Sequence, residues 1–258
     1  MSDSPVAYRA ADHVATATLN RPEKRNALDS ATVQALRDAH ARAEEDGAVR
    51  VFVLRGAGKD FCAGADLAQL ERIAAGAGPL ENLAEASALG DLLVAFRRGG
   101  KPVVAVVQGH AVAGGAGLAS ACDVVLARAD AVFGYPEVRL GFVPAMVMAA
   151  LRRGVGEKKA FELVTRGERI DAVEAERLGL VTRVFPADGF DAAVDEYIGE
   201  LAARSASAVR LTKRLLYGMD GLSYEEAVAR GAEVNVLARY TEDCREGVRR
   251  FLERRLEG

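Results

Sequence analysis

The chain has only three cysteines in 258 residues, Cys62, Cys122 and Cys244, far apart and odd in number. No CxxC pair exists, so neither a zinc site nor a disulfide framework is supported. Reduced thiols and a cytoplasmic location are the simpler expectation. No apolar run reaches the length, about 18 residues, that a membrane-spanning helix needs. The opening Met1-Ser2-Asp3-Ser4 lacks the basic and apolar regions of a secretory signal. A dominant charge is missing too: 34 basic residues face 37 acidic ones, for a net charge of -3. No basic block stands out beyond Arg249-Arg250 and Arg254-Arg255, so nucleic acid and acidic membranes find no strong electrostatic invitation. There is no GxSxG, and His13, His40 and His110 have no obvious serine or cysteine partner, so a hydrolase triad has no support.

What is present is an apolar, glycine-rich chain, 50% hydrophobic with 26 glycines. That is the composition of a globular α/β protein, one large domain or two small ones. His13 to Leu19 alternates as a strand does, and Asn20-Arg21-Pro22 breaks it. After the polar loop Glu23 to Asn26, Asp29 or Ser30 caps a helix to about Glu45, with Val33, Leu36 and His40 at helical spacing. Val51 to Leu54 reads as a second strand, followed by a long glycine-bearing loop, GAGKDFCAGADL. Leu70 to Gly90 reads as a helix–loop–helix around Gly76-Ala77-Gly78-Pro79, a candidate pocket wall. Helices are expected from Pro144 to Arg153, from Lys158 to Thr165 and after Asp171, then a strand at Val181 to Phe185. From about Phe190 the chain reads as helices alone, with more apolar surface than one small layer needs. The division expected is therefore 1–189 as an α/β core and 190–258 as a helical region that packs on the core or on another subunit.

The stretch from Val103 to Gly141 concentrates the candidate chemistry. A buried strand, Val103 to Val107, leads into a glycine-dense turn, Gly109 to Gly117, a short helical segment and a second buried strand, Val124 to Ala127. Gly114 and Gly115 permit a close backbone approach. Their N–H groups, at the start of a helix, suit a developing negative charge. Downstream stands one acid, Glu137, in VFGYPEVRLG. It admits two readings: a strand-end carboxylate paired with Arg139, or a carboxylate in an apolar pocket whose raised pKa lets it exchange protons near neutrality. Gly115 to Ser120 also loosely fits a dinucleotide-binding GxGxxG/A, with Glu137 20 residues after Gly117. The helix that follows is too short for a crossover, which weighs against that reading. Cys62 reads as structural. Met146 and Met148 read as core or as the soft wall of an acyl pocket.

Six segments, in order, resemble the crotonase superfamily, the enoyl-CoA hydratase/isomerase family: LNRPEKRNAL, FCAGADL, GHAVAGGAGLASACDVVLA, FGYPEVRLG, DAVEAERLGLVTRVF and EDCREGVRRFLERR. The resemblance covers nearly the whole chain. It implies a spiral of ββα turns with a C-terminal helical trimerisation region, giving a homotrimer or homohexamer. It implies an acyl-CoA thioester substrate, with coenzyme A as part of that substrate, and no metal or other cofactor. By position, the N–H groups of Ala65 and Gly114 would hold the thioester oxygen and Glu137 would be the catalytic acid/base. Lys24, Arg25 and Ala27, with Ala63, Ala65, Asp66 and Leu67, would bind the CoA moiety. Two departures stand out. Gly117 occupies the position of the second family glutamate, and Phe142 to Met148 replaces a glycine-rich run. The resemblance implies an enoyl-CoA hydratase first. A Δ3-Δ2-enoyl-CoA isomerase using Glu137 alone is second, and a non-catalytic acyl-CoA-binding member third. For the hydratase, Glu81 or Glu85 is a speculative second proton source.

Overall fold

The computed structural model describes residues 4–76 and 78–256. The expected loop residue Ala77 lies outside them. In chain order the elements are β1 (Val6–Ala11), β2 (Val14–Leu19), α1 (Ser30–Glu45), β3 (Val51–Gly56), α2 (Leu67–Gly76), α3 (Pro79–Arg98), β4 (Val103–Val107), β5 (His110–Val112) and α4 (Gly114–Ser120). There follow β6 (Val124–Arg128), β7 (Val132–Gly134), a 3-10 turn (Pro136–Leu140), α5 (Val147–Gly154), α6 (Glu157–Arg166), β8 (Arg169–Asp171), α7 (Ala172–Arg177) and β9 (Arg183–Phe185). Four helices end the chain: α8 (Phe190–Ala202), α9 (Ala206–Gly218), α10 (Tyr224–Arg239) and α11 (Glu242–Leu256).

Two sheets result. The larger runs β1-β2-β3-β4-β6-β9, and the smaller runs β5-β7-β8. Every neighbouring pair of the larger sheet beyond β1–β2 is parallel. Successive turns of chain give one strand to each sheet and then a helix: β4, β5 and α4, then β6, β7 and the 3-10 turn. This is a spiral of ββα turns rather than a flat doubly wound sheet, with helices gathered at the C-terminus.

The continuous apolar runs of β3, β4 and β6 follow from burial on both faces. Phe52, Leu54, Val103, Ala105, Val107, Val125 and Ala127 face the main core. Their alternates Val51, Val53, Val104, Val106 and Leu126 face a second cluster under α8. Alternation along a strand requires that split. Helix α8 supplies Phe190, Val194, Ile198 and Ala202, one residue per turn along a single stripe. On the other face α1 buries Val33, Leu36 and His40, the spacing expected from sequence. Asp29 caps α1 by accepting from Thr32 N–H at 2.8 Å.

Helix α9 is riveted to the core by a buried charge. Lys213 Nζ donates to Asp123 Oδ2 at 2.6 Å and to the carbonyls of Phe96 and Lys101 at 2.6 and 2.8 Å. All three ammonium hydrogens are thereby satisfied, which makes its burial tolerable. Helix α5 starts at Val147 rather than at Pro144, because Ala145 N–H turns back to the Val143 carbonyl at 2.9 Å and tightens the chain before the helix. The strands β1, β5, β7 and β8 carry no separate sequence signal: β5, β7 and β8 have three residues each, too few to show a period.

Candidate active site

The two glycine-bearing loops that the sequence keeps apart are zipped together. Ala63 N–H donates to the Arg25 carbonyl at 3.0 Å, Leu28 N–H to Gly64 at 2.7 Å, and Asp66 N–H to Leu28 at 2.9 Å. Leu28 thus bonds to the residues on both sides of Ala65, a parallel bridge. In such a bridge the N–H of the middle residue turns to the opposite edge. Among the described residues, Ala65 N–H accordingly meets no protein acceptor. A second bridge, Cys62 with Ala111, fastens the same loop to β5: Cys62 N–H donates to His110 at 3.0 Å and Val112 N–H to Cys62 at 3.1 Å.

Strand β5 then delivers Gly114 to that edge. A Cβ on Gly114 would lie 3.7 Å from Ala65 N, so the two amides are neighbours. Gly114 opens α4, whose first intrahelical bond is Gly117 N–H to Ala113 O at 3.0 Å; among the described residues the Gly114 amide has no protein acceptor either. Close approach explains the glycines around this pair. A Cβ on Gly115 would stand 2.3 Å from the Cys62 carbonyl oxygen, and one on Gly64, at φ +90°, 2.8 Å from the Ala113 Cβ. Ala113 itself sits at φ 51°, ψ -126°, a strained conformation for a residue with a Cβ. Two amide donors side by side, on backbone held by bridges from both flanks, are suited to a developing negative charge. Gly115 is packed on protein backbone, so the GxGxxG reading has no room for a pyrophosphate.

Glu137 reaches the same end of the small sheet. Strands β5 and β7 are parallel and in register, Val112 opposite Gly134, and Ala113 N–H donates to Gly134 O at 2.8 Å. The chain leaves β5 into Gly114 and leaves β7 into Tyr135-Pro136-Glu137, so the exits lie side by side, about one strand spacing of 4.8 Å apart. Glu137 is 8% exposed, and its Oε2 is buried with no hydrogen-bond partner. It makes no ion pair with Arg139 among the described residues. Burial pushes its carboxyl above the usual glutamate value, partly offset by its own backbone N–H. A buried, unpaired carboxylate costs stability, and such a cost persists at functional sites. Behind it, Tyr135 OH and Ser120 Oγ are 2.7 Å apart, and burial with the nearby Glu137 charge holds the phenol protonated.

Gly117 is closed off by packing. A Cβ there would fall 1.9 Å from Val147 Cγ1 and 2.2 Å from Val147 Cβ. The space into which a second glutamate would project from α4 is filled by α5. Val147, the first residue of α5, belongs to the segment Phe142 to Met148, so the two departures seen in the sequence meet at one contact.

The residues expected to contact CoA lie on the two joined loops. Lys24 is more than half exposed and 3.7 Å from Asp66 Oδ2. Arg25 Nε donates to Asp60 Oδ2 at 2.7 Å. The Ala27 carbonyl accepts from Arg21 at 2.9 Å, Ala63 joins the zipper described above, and Leu67 is exposed at the start of α2. Asp66 is buried, and its carboxylate takes the Arg21 guanidinium at 3.0 Å; those cations hold it below the usual range. It fixes the two loops to each other. Glu85 is engaged by Gln69 Nε2 at 2.8 Å.

Three further residues matter here. Asn26, fully buried at φ 57°, donates to the carbonyls of Ala57 and Asp60 at 2.9 and 2.8 Å and accepts from Arg21 N–H at 3.0 Å. Asp60 accepts from Arg25, from His110 N–H at 3.0 Å and from the His110 ring at 2.7 Å, and these partners lower its pKa to about 2. The third is Val147. The signal for Asn26 was available, since asparagine tolerates the left-handed region in a tight polar loop. Asp60 and Val147 act across gaps of 50 and 30 residues in sequence, which no local pattern reveals. No group of three or more metal-ligating side chains that could hold a metal ion occurs among the described residues.

Comparison with known proteins agrees with this geometry. The family described as Enoyl-CoA hydratase/isomerase matches residues 9–257. A Thermus thermophilus protein named "Putative enoyl-CoA hydratase" is 43% identical over 243 residues, covering 94% of this chain and 96% of its own. The 2,3-dehydroadipyl-CoA hydratase of Escherichia coli is 35% identical, covering 92% and 91%. The crystal structure of an enoyl-CoA hydratase from Mycobacterium smegmatis superposes with a TM-score of 0.91 at 33% identity, over 97% of this chain and 96% of that one. With bridged amides at Ala65 and Gly114, a buried acid at Glu137 and a family match that spans almost every residue, the chain belongs to the enoyl-CoA hydratase/isomerase family of the crotonase superfamily.

Proposed function

We propose that the protein is an enoyl-CoA hydratase that works with a single carboxylate, Glu137. The observation that carries the reading is the meeting, at one end of the small sheet, of two amides without a protein acceptor among the described residues and one buried carboxylate whose Oε2 has no partner among them. The substrate is an acyl-CoA thioester with a 2,3 double bond. Lys24, Arg25, Ala27, Ala63 and Leu67 lie where the loops would hold its CoA moiety. Glu137 takes a proton from water as the water oxygen bonds to C3. Electron density moves through C2 to the thioester oxygen, where the N–H groups of Ala65 and Gly114 stabilise it by about 3 kcal/mol each. The protonated Glu137 then returns its proton to C2. One water is consumed, its oxygen on C3 and its hydrogen on C2, and the carboxylate is regenerated. A carboxyl pushed upward by burial suits a group that must both take and give a proton. CoA arrives with the substrate, and the reading calls for no separate cofactor.

Isomerisation is the second reading, favoured by Val147 standing where a second acid would be. There Glu137 takes a proton from C2 of a 3-enoyl thioester and returns it to C4. Assay of the pure protein on trans-2-enoyl-CoA and trans-3-enoyl-CoA, with products separated by chromatography, decides between them. Formation of 3-hydroxyacyl-CoA from the 2-enoyl ester supports the hydratase. Conversion of the 3-enoyl to the 2-enoyl ester without hydration overturns it in favour of the isomerase. Tight thioester binding with turnover of neither points to a binding role.

The same reading makes the protein a homotrimer or homohexamer assembled through its C-terminal helices. Exposed Tyr224, Val228, Val236, Leu237 and Tyr240 on α10, and Val248, Phe251 and Leu252 on α11, support it. Sedimentation at three or six chain masses is the expected result, and a monomer would contradict it.

A further inference from the structure

A cavity of about 590 Å³ opens between α3, α5 and α9, at the end of α4 opposite Gly114. Neither Ala65, Gly114 nor Glu137 lines it. Its near end is apolar. Gly90 of α3 faces Met146, with an ideal Cβ 3.5 Å from the Met146 Cγ, and the missing side chain leaves that space to the cavity. Ser120, whose Oγ lies 2.7 Å from the hydroxyl of Tyr135, two residues before Glu137, belongs to the same wall. The seven residues of α4 put the wall roughly 10 Å from the amide pair.

The far end is cationic. Arg97 and Arg153 converge on one carboxylate oxygen, Asp220 Oδ2. Arg97 is stacked on the Tyr217 ring at 3.9 Å, and Tyr217 OH is tied to Asp123 at 2.6 Å, so the guanidinium is held in place. Asp123 is already matched by Lys213. The adjoining opening adds Arg98 and Arg214, which form no ion pair among the described residues. Four guanidinium groups therefore border this end, two of them sharing the Asp220 carboxylate, and Asp220 demonstrates that a carboxylate oxygen fits between two of them. Arginine forks match carboxylates bidentately, which suits them to receive one.

We propose that this cavity is the distal acyl subsite and that it takes an acyl chain ending in a carboxylate, received by Arg97 and Arg153. The inference rests on the acyl-CoA reading above and adds the chemistry of the far end of the substrate. The chain lies along the apolar wall past Gly90 and Met146, and its terminal carboxylate joins or displaces Asp220.

Binding of saturated, unreactive acyl-CoA thioesters tests it apart from turnover. Two thioesters of equal chain length are compared by calorimetry on the intact oligomer, one methyl-ended and one carboxyl-ended. The carboxyl-ended thioester is expected to bind about ten-fold tighter, the gain typical of a charge-assisted pair. Arg153→Gln brings the ratio toward one, while Asp220→Asn, which removes the competing carboxylate, preserves or widens it. Equal affinity for the two ends, a ratio untouched by Arg153→Gln, or a ratio abolished by Asp220→Asn overturns the inference. Equally tight binding of the free dicarboxylic acid without CoA would place the site outside the acyl path and overturn it as well. Failure of both thioesters to bind instead removes the acyl-CoA reading on which it rests.

Discussion

Helices α4 and α10 are both made without a dominant charge pattern, yet they end in opposite surroundings. Five of the seven residues of α4 are buried, and it lies between Cys62, Val147 and the small sheet. None of the sixteen residues of α10 is buried, although Val228, Val236 and Leu237 stand on it half exposed or more. The difference is one of partners. Everything α4 needs is in its own chain, because its glycines let backbone meet backbone. Helix α10 presents an exposed apolar surface, which in the proposed trimer another copy completes. The proposed chemistry sits in the part that is over-determined, where donors can be held fixed against a developing charge.

The sharpest way to break this contrast is to change the partner of α4. Gly117→Glu, made to restore a second acid, should instead destabilise the protein by about 3 kcal/mol, since Val147 leaves no room for a Cβ. Thermal unfolding checks it, and the added change Val147→Gly should recover part of the loss; independent, additive effects would show that the two positions do not touch. On the other side, Leu237→Glu in α10 should remove about 2 kcal/mol of apolar burial from the assembly. The expected result is a lower sedimenting mass with unchanged helix content. Loss of helix content would mean that α10 is held by its own chain after all.

Smaller effects sharpen the account of the site. Glu137 has a folded-state pKa above its unfolded value, so its contribution favours folding below the unfolded pKa and is lost as pH rises through the folded one. Glu137→Gln should therefore raise the melting temperature at neutral pH by a few degrees, the shift that roughly 1 kcal/mol gives in a chain of this size. The wild-type rate should fall on the acid side at a pH above the ordinary glutamate value of about 4.3, because the base must be ionised. The smallest change is Ala113→Gly, which relieves the positive φ beside Gly114 and should stabilise by less than about 1 kcal/mol. A lower kcat in that variant would link the strain to the aim of the Gly114 amide.

Much of this was legible in the sequence where one residue's neighbours in the chain decide its fate. The buried strands Val103–Val107 and Val124–Arg128, the Asp29 and Asp171 caps and the α10 span Tyr224–Arg239 follow from apolar runs and capping chemistry. Glu137 stood out as an acid in an apolar segment. The small sheet was not legible, because its strands are three residues long and acquire their pairing from chain far away. Nor was the meaning of Gly117. Its missing side chain reads as permission for a turn, and only the position of Val147 shows that it makes room for a helix. The same holds for Asp60, whose three donors come from two different loops.

The central claim is that one carboxylate does the proton work while backbone amides hold the thioester oxygen. Its most direct test is the rate of trans-2-enoyl-CoA hydration by wild type and Glu137→Gln, with thioester affinity measured on both. The account predicts a loss of about 100- to 10,000-fold in kcat, with the dissociation constant nearly unchanged. Turnover by Glu137→Gln at the wild-type rate would contradict it.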